Sequence, residues 1–266
     1  MSTHLTVTRT EQLTPSLQRV WFHSDDLTAF EGSDQTDRYV KLVFPKPGVD
    51  YPQPLDMRAL RGTIPPEDMP VVRTYTALFP DVAAGTVAID FVIHGDEGVA
   101  GPWAAAAQPG DTLIANGPGG GYAPDLTADW HLLVGDESAV PAITAALAHL
   151  TSQEPDAIVK VVVLIDGPGH EPELPLPTGA QLIAVHRNAG GDLVEAVRSL
   201  EWPAGRVHAF VHGEGGAVMK GIRPHLLRER GLAKEQVSIS GYWRQGRTEE
   251  GFRDWKAELA AAESAS

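Results

Sequence analysis

The sequence predicts two domains: an antiparallel β-barrel of the six-stranded type over residues 1–122, then a doubly wound, mostly parallel α/β domain over 123–266. Three observations predict it. Short strand patterns fill the first 120 residues with no long helix among them. From residue 130 onward, apolar strand runs alternate with helical stretches. Between the two lies a flexible glycine run, Gly117-Pro118-Gly119-Gly120-Gly121.

In the first part, 5–13 (LTVTRTEQL), 17–22 (LQRVWF) and 38–44 (RYVKLVF) suit strands. So does 86–93, where Val87, Ile89, Phe91 and Ile93 alternate with Thr86, Ala88 and Asp90. The Pro-rich stretch 45–70 has no convincing period and reads as a long loop. Residues 102–107 (PWAAAA) offer a short helix opened by its proline. In the second part, strands at 131–135, 158–165, 181–185, 207–212 and 237–243 alternate with helices at 138–150, at 192–200 and from about 213 to Arg230. Pro224 is expected to kink the last of these. The run 158–165 (IVKVVVLI) is nearly all apolar, as strands covered on both faces are. A final helix is expected over 249–263.

Composition excludes several functions. The 266 residues carry 35 acidic and 21 basic side chains, a formal charge of −14. With no basic run, nucleic acid is not an expected partner. The absence of cysteine excludes disulfides, thiolate metal sites, cysteine-ligated clusters and a cysteine nucleophile. A chain of this kind that handles electrons needs an added cofactor. The ten histidines form no HExxH pair, so no metal site is expected. No apolar run is long enough to span a membrane, and residues 1–13 lack a signal-peptide core, so a cytoplasmic location is expected.

Five motifs carry chemistry. Arg73-Thr74-Tyr75-Thr76 sits on a strand, where it reads equally as an exposed arginine and a packed tyrosine. Fourteen residues beyond Thr76 begins Asp90-Phe91-Val92-Ile93-His94-Gly95, followed by 98–104 (GVAGPWA) with Val99, Ala100, Gly101 and Trp103. A turn leading into a helix suits an anion, because free amides and the helix dipole point there. In 133–141 (LVGDESAVP), Asp136, Glu137 and Ser138 follow a strand, at the edge where open α/β sheets bind ligands; Ser138 also reads as a plain helix cap. His212-Gly213-Glu214-Gly215-Gly216 joins a strand to a helix but lacks the spacing of a dinucleotide fingerprint, so it reads also as a structural turn. The last motif is 240–247 (SGYWRQGR), with Tyr242, Trp243, Arg244 and Arg247.

Taken in order across nearly the whole chain, these motifs resemble those of the siderophore-interacting proteins, flavoenzymes of the ferredoxin-reductase-like superfamily. The resemblance implies a first domain that binds FAD and a second that binds NADH or NADPH. Arg73 would neutralise the FAD diphosphate, Tyr75 pack on the isoalloxazine and Thr76 hydrogen-bond near its N5. Residues 90–95 and 98–104 would approach the ribityl and phosphate portion. Gly101 departs from the family, which often has serine there. Asp136, Glu137, Ser138, Gly213 and Glu214 would lie at the ligand edge that borders the nicotinamide site, Tyr242 and Trp243 would be brought toward the flavin, and Lys41, Arg244 and Arg247 would hold an anionic ferric siderophore. The implied reaction is reduction of chelated Fe(III) to Fe(II). Ferredoxin as the electron donor, or siderophore binding without turnover, are the alternatives.

Overall fold

The computed structural model describes residues 2–52, 55–95, 98–246, 251 and 255. The chain divides into two compact units, Met1–Gly121 and Tyr122–Ser266.

The first unit is one antiparallel sheet of seven strands. They are β1 (Ser2–Thr14), β2 (Leu17–His23), β3 (Tyr39–Phe44), β4 (Val71–Thr76), β5 (Leu78–Asp81), β6 (Thr86–Val92) and β7 (Thr112–Gly119), in the order β4-β3-β7-β1-β2-β6-β5. The strand count exceeds the expected six, and among the described residues no ladder closes the sheet into a barrel. Instead it curls until Tyr75 of β4 meets Phe91 of β6, ring centroids 4.6 Å apart. Alternation sets the core: Leu5 and Val7 point inward with Val20, Phe22, Leu42, Ile89 and Phe91. A short helix, α1 (Met57–Leu60), lies in the stretch read as a structureless loop. That stretch has a small core of its own, in which Leu55 and Leu60 pack on Val43 with Tyr51, Met57 and Ile64. The Tyr51 hydroxyl donates to the Asp68 carbonyl at 2.7 Å. The glycine run is also more ordered than a linker: Gly117 to Gly119 complete β7, and Gly119 pairs with Tyr39. Helix α2 (Ala100–Ala106) plugs one end of the sheet, its Trp103 ring lying against Phe22, Phe44 and Phe91.

The second unit is a parallel five-stranded sheet in the order β10-β9-β8-β11-β12. The strands are β8 (Trp130–Asp136), β9 (Val159–Ile165), β10 (Ala180–His186), β11 (Val207–Glu214) and β12 (Val237–Trp243). Helix α3 (Val140–Gln153) covers one face. The other face packs Trp130, Leu132 and Val134 against Leu193 and Val197 of α4 (Leu193–Arg198), and against Val218, Ile222 and Leu226. Cover on both faces matches the burial of every residue of β8 and all but the last of β11. The helix after β11 departs from expectation. It is wound with i→i+5 bonds over Gly216–Ile222 and His225–Glu229, with Pro224 lying between the two stretches. The Arg230 N–H accordingly donates to the His225 carbonyl at 2.9 Å. The helix expected over 249–263 falls mostly outside the described residues. No helix of the described residues is long and apolar enough to cross a membrane.

His131 of β8 is 1% exposed, and among the described residues neither ring nitrogen has a hydrogen-bond partner. Burial, reinforced by the neighbouring His208, pushes its pKa down to about 4. The ring is therefore neutral in the folded chain at neutral pH, while the unfolded chain takes up a proton below about 6.5. Stability from this residue is complete above that pH and drains away between 6.5 and 4. The cumulative loss is of order 3 kcal/mol. Denaturant unfolding from pH 7.5 to 4.5 should show His131→Leu losing much less stability on acidification than the unaltered chain. Parallel curves would mean that the ring is hydrated or already charged.

Candidate functional site

In the first unit the Arg73–Thr76 motif forms β4, an edge strand of the sheet. Its register with β3 places Lys41 opposite Thr74, Val40 opposite Tyr75, Leu42 opposite Arg73 and Tyr39 opposite Thr76. Residues directly opposite share a face. Lys41 thus stands with Thr74, while Arg73 and Tyr75 stand on the other side with the core residues Leu42 and Val40. The Arg73 guanidinium, half-buried, donates from Nη1 to the adjacent Val72 carbonyl at 3.0 Å.

The β6 end and α2 are packed together more tightly than their spacing in the sequence suggests. Asp90 is buried, and both its oxygens accept from Arg19 of β2, at 2.7 Å from Nε and 2.8 Å from Nη2. Phe91 is a core residue. Past Val92, the turn through His94 and Gly95 leads to Val99 and Ala100, where α2 begins without a side-chain cap. A Cβ at Gly101 would lie 3.2 Å from the Val92 carbonyl oxygen, a tight contact with backbone. The departure from serine here matches that approach of helix to strand end. Trp103, expected near a cofactor, is half-buried and packs its ring against the core.

In the second unit the parallel strands bring the motif residues to one carboxyl edge. Asp136, at the end of β8, is 1% exposed. Its Oδ1 accepts from the backbone N–H of Ser138 at 3.0 Å and the Ser138 hydroxyl at 2.5 Å. Its Oδ2 accepts from the backbone N–H of Glu214 and from Nε1 of Trp243, each at 2.8 Å. Burial pushes this carboxyl upward, and these donors pull against it. A Cβ at Gly213, where φ is +144°, would fall 2.8 Å from Oδ2, so this close crossing needs glycine. Glu137 accepts a two-pronged contact from Arg187, at 3.0 and 2.7 Å, with Asp166 3.8 Å from the same guanidinium. Glu214 accepts from the N–H of Ala217 at 2.8 Å and from Arg244 at 2.6 Å. Burial raises its pKa, but these contacts outweigh burial and hold it below the usual carboxylate range. The Tyr242 ring stands edge-on to His212, 4.9 Å between centroids, and the Arg244 guanidinium lies 5.4 Å over Trp255.

The three carboxylates are thus engaged within the unit, and each orients a neighbour: Asp136 the indole of Trp243, Glu137 Arg187, and Glu214 Arg244. Among the described residues, groups at this edge that keep exposed surface include Arg187, 42% exposed at its side chain, Trp243, 40% exposed, Tyr242 and Arg244. Arg187 was not among the sequence candidates. Its only signal was position, directly after a strand on the ligand edge. Arg19 was missed for lack of any motif. Of the proposed chelate-binding residues, Lys41 belongs to the first unit and Arg244 to the second, while Arg247 lies outside the described residues. Among the described residues no group of three His, Asp or Glu side chains can hold a metal ion.

Comparison with known proteins gives this geometry a family. Residues 6–122 match the siderophore-interacting FAD-binding domain, and residues 128–246 match the siderophore-interacting protein family. The ferric vibriobactin reductase ViuB of Vibrio cholerae is 32% identical over 92% of this chain and 90% of its own. The NADPH-dependent ferric-chelate reductase of Escherichia coli K12 is 30% identical over 90% of this chain and 91% of its own. The crystal structure of a siderophore utilization protein from T. fusca superposes with a TM-score of 0.77 at 35% identity, covering 93% of this chain and 94% of that one. With both of its domains matched over nearly their whole length, the chain belongs to the siderophore-interacting protein family.

Proposed function

We propose that this chain is a ferric-siderophore reductase that uses FAD and takes its electrons from NADPH. The observation that carries the reading is the joining, in one chain, of an FAD-binding domain to a parallel sheet whose carboxyl edge holds out two carboxylate-braced arginines and an indole. The names of the Vibrio and Escherichia relatives support the same reaction.

The first unit fits FAD. Arg73 and Tyr75 share one face of an edge strand, a planar cation beside an aromatic ring. The uncapped start of α2 is held close to the end of β6 by Gly101, within the same sheet. Arg73 would neutralise the diphosphate, and Thr76, next to Tyr75 in the strand, would supply a hydrogen bond to the flavin. Asp90 and Phe91 act indirectly, fixing β6 through Arg19 and the core. When bound, FAD supplies the conversion of a two-electron hydride donation into the one-electron transfers that iron accepts. One NADPH thereby reduces two Fe(III), with release of NADP⁺ and one proton. In the second unit, Arg187 offers a guanidinium to the phosphates of the donor, and Trp243 and Tyr242 offer aromatic surface to its rings. Lys41 and Arg244, with Arg247, are the candidates for an anionic chelate. Arg244 is partly neutralised by Glu214, so its share of that attraction is modest. Such a reductase would act in the cytoplasm, where reduced nicotinamides are available.

Anaerobic mixing of the purified yellow protein with NADPH, NADH or reduced ferredoxin tests the reading directly. NADPH should bleach the flavin band, and a ferric siderophore should restore it as a ferrous-specific chelator develops colour. Bleaching by ferredoxin alone would replace the donor. Protein that binds the chelate but carries no FAD would leave a binding module.

A second measurement isolates Arg73. Loss of a charge-assisted contact costs about 1.5–3 kcal/mol, roughly ten- to a hundred-fold in affinity. Arg73→Ala should therefore release FAD on dilution, while Arg58→Ala, at an exposed position in α1, keeps it. Equal flavin content after gel filtration of the two variants would remove Arg73 from the diphosphate site.

A further inference from the structure

We propose that Asp136 is a positioning residue for electron delivery: its buried carboxylate fixes the indole of Trp243 at the carboxyl edge of the sheet, and through that ring it sets how the nicotinamide donor docks. This rests on the reading that these strand ends receive the donor.

The two oxygens of Asp136 do different work. Oδ1 serves the local turn, taking the Ser138 N–H and hydroxyl two residues on. Oδ2 reaches far along the chain, 78 residues to the Glu214 N–H and 107 residues to the Trp243 indole. Four donors on two oxygens in a fully buried group leave no lone pair for a ligand, so Asp136 cannot itself touch the donor. Nor is it merely a helix cap, since α3 is preceded by Ala139 at its cap position and receives no side-chain cap bond. A carboxylate buried with only neutral donors on its oxygens, and Arg187 acting on it at longer range, is costly, and a turn alone can be made with serine or asparagine. What the carboxylate adds is the long-range half. Trp243 is 40% exposed, and an indole so placed ordinarily spends its N–H on water. Here the N–H is turned inward onto a buried acceptor, so an exposed ring is braced from behind while the rest of it stays available for stacking. Gly213 belongs to the same device, because any side chain there would occupy the space of Oδ2.

An amide cannot replace this carboxylate. In one orientation the –NH₂ of asparagine would face the Glu214 and Trp243 donors; in the other it would face the Ser138 N–H, with only the Ser138 hydroxyl able to turn and accept. The test therefore uses Asp136→Asn, Trp243→Phe and the double variant, each as FAD-loaded protein. The first readout is the indole N–H resonance of Trp243, identified by its disappearance in Trp243→Phe. In the unaltered protein it should exchange slowly with solvent; in Asp136→Asn it should shift and exchange fast. The second readout is the anaerobic rate of flavin reduction by NADPH. Each single variant should slow it by about tenfold, and the double variant should be no slower than Asp136→Asn, because both changes remove one interaction. FAD content should stay constant. Additive effects, an unmoved resonance in Asp136→Asn, or a normal reduction rate in Trp243→Phe would each overturn the proposal. Should Asp136→Asn fail to fold, Trp243→Phe still decides, since its ring is exposed and its rate is predicted to fall. If NADPH does not reduce the flavin of the unaltered protein, the reading of the donor site fails. The resonance then still reports whether Asp136 holds the indole.

Discussion

The carboxyl edge of the second unit depends on one buried carboxylate. Placing a carboxylate wholly inside protein costs several kcal/mol unless its oxygens are saturated with donors. At Asp136 the saturation comes from the ends of three strands: Ser138 after β8, Glu214 closing β11 and Trp243 closing β12. Parallel pairing in the order β8-β11-β12 makes these ends neighbours, so the sheet topology and the hydrogen bonds determine each other. The constraint propagates outward. It requires glycine at 213, it fixes the backbone that carries Glu214, and it thereby fixes the group that Glu214 holds, Arg244.

The same logic recurs at the other ion pairs. A chain with a formal charge of −14 has acidic groups to spare, and here it uses them as internal braces for arginines. Glu137 grips Arg187 with both oxygens, as Asp90 grips Arg19. Fork-to-carboxylate contacts of this kind add little net stability once desolvation is counted, but they remove the rotational freedom of a long side chain. A braced arginine meets an anion with less entropy left to lose. The acidity of the whole and a site for anionic ligands are therefore compatible, because the acids lie behind the bases.

Much of this could be read from the sequence where a single period dominates. Alternation at 86–93 gave β6, and the apolar run at 158–165 gave β9, because in each case burial on one or two faces writes itself directly into residue type. Where backbone contacts decide, the sequence was silent. Gly117 to Gly119 look like a linker and yet end β7, where Gly119 pairs with Tyr39 of β3, since glycine composition says nothing of hydrogen bonding. Residues 45–70 look structureless because their small core is gathered from irregularly spaced residues such as Tyr51, Leu55 and Leu60. The wide-wound helix around Pro224 has no signature beyond that proline. At the site, the motifs fall at strand ends, but the partners of their side chains could not be read from them. Asp136, Glu137 and Glu214 read as ligand contacts, whereas their partners, separated by 50 residues or more for Arg187 and Trp243, turn them into supports. Residue type announces that a carboxylate matters; only the fold says which way it faces.

This division of labour suits the chemistry. Reduction of a chelated metal by electron transfer needs no general acid or base, so the site has no use for a group with a tuned pKa in contact with substrate. What it needs is geometry: a nicotinamide ring held still against its acceptor, and a bulky chelate brought close. Rates of hydride transfer fall steeply with small misplacement of the reacting atoms, so rigidity at a contact surface is worth more than additional contacts. An exposed tryptophan on a strand end would ordinarily sample several rotamers, each offering a different surface. Tethering its single polar atom to a saturated carboxylate selects one of them, while the carboxylate itself stays buried.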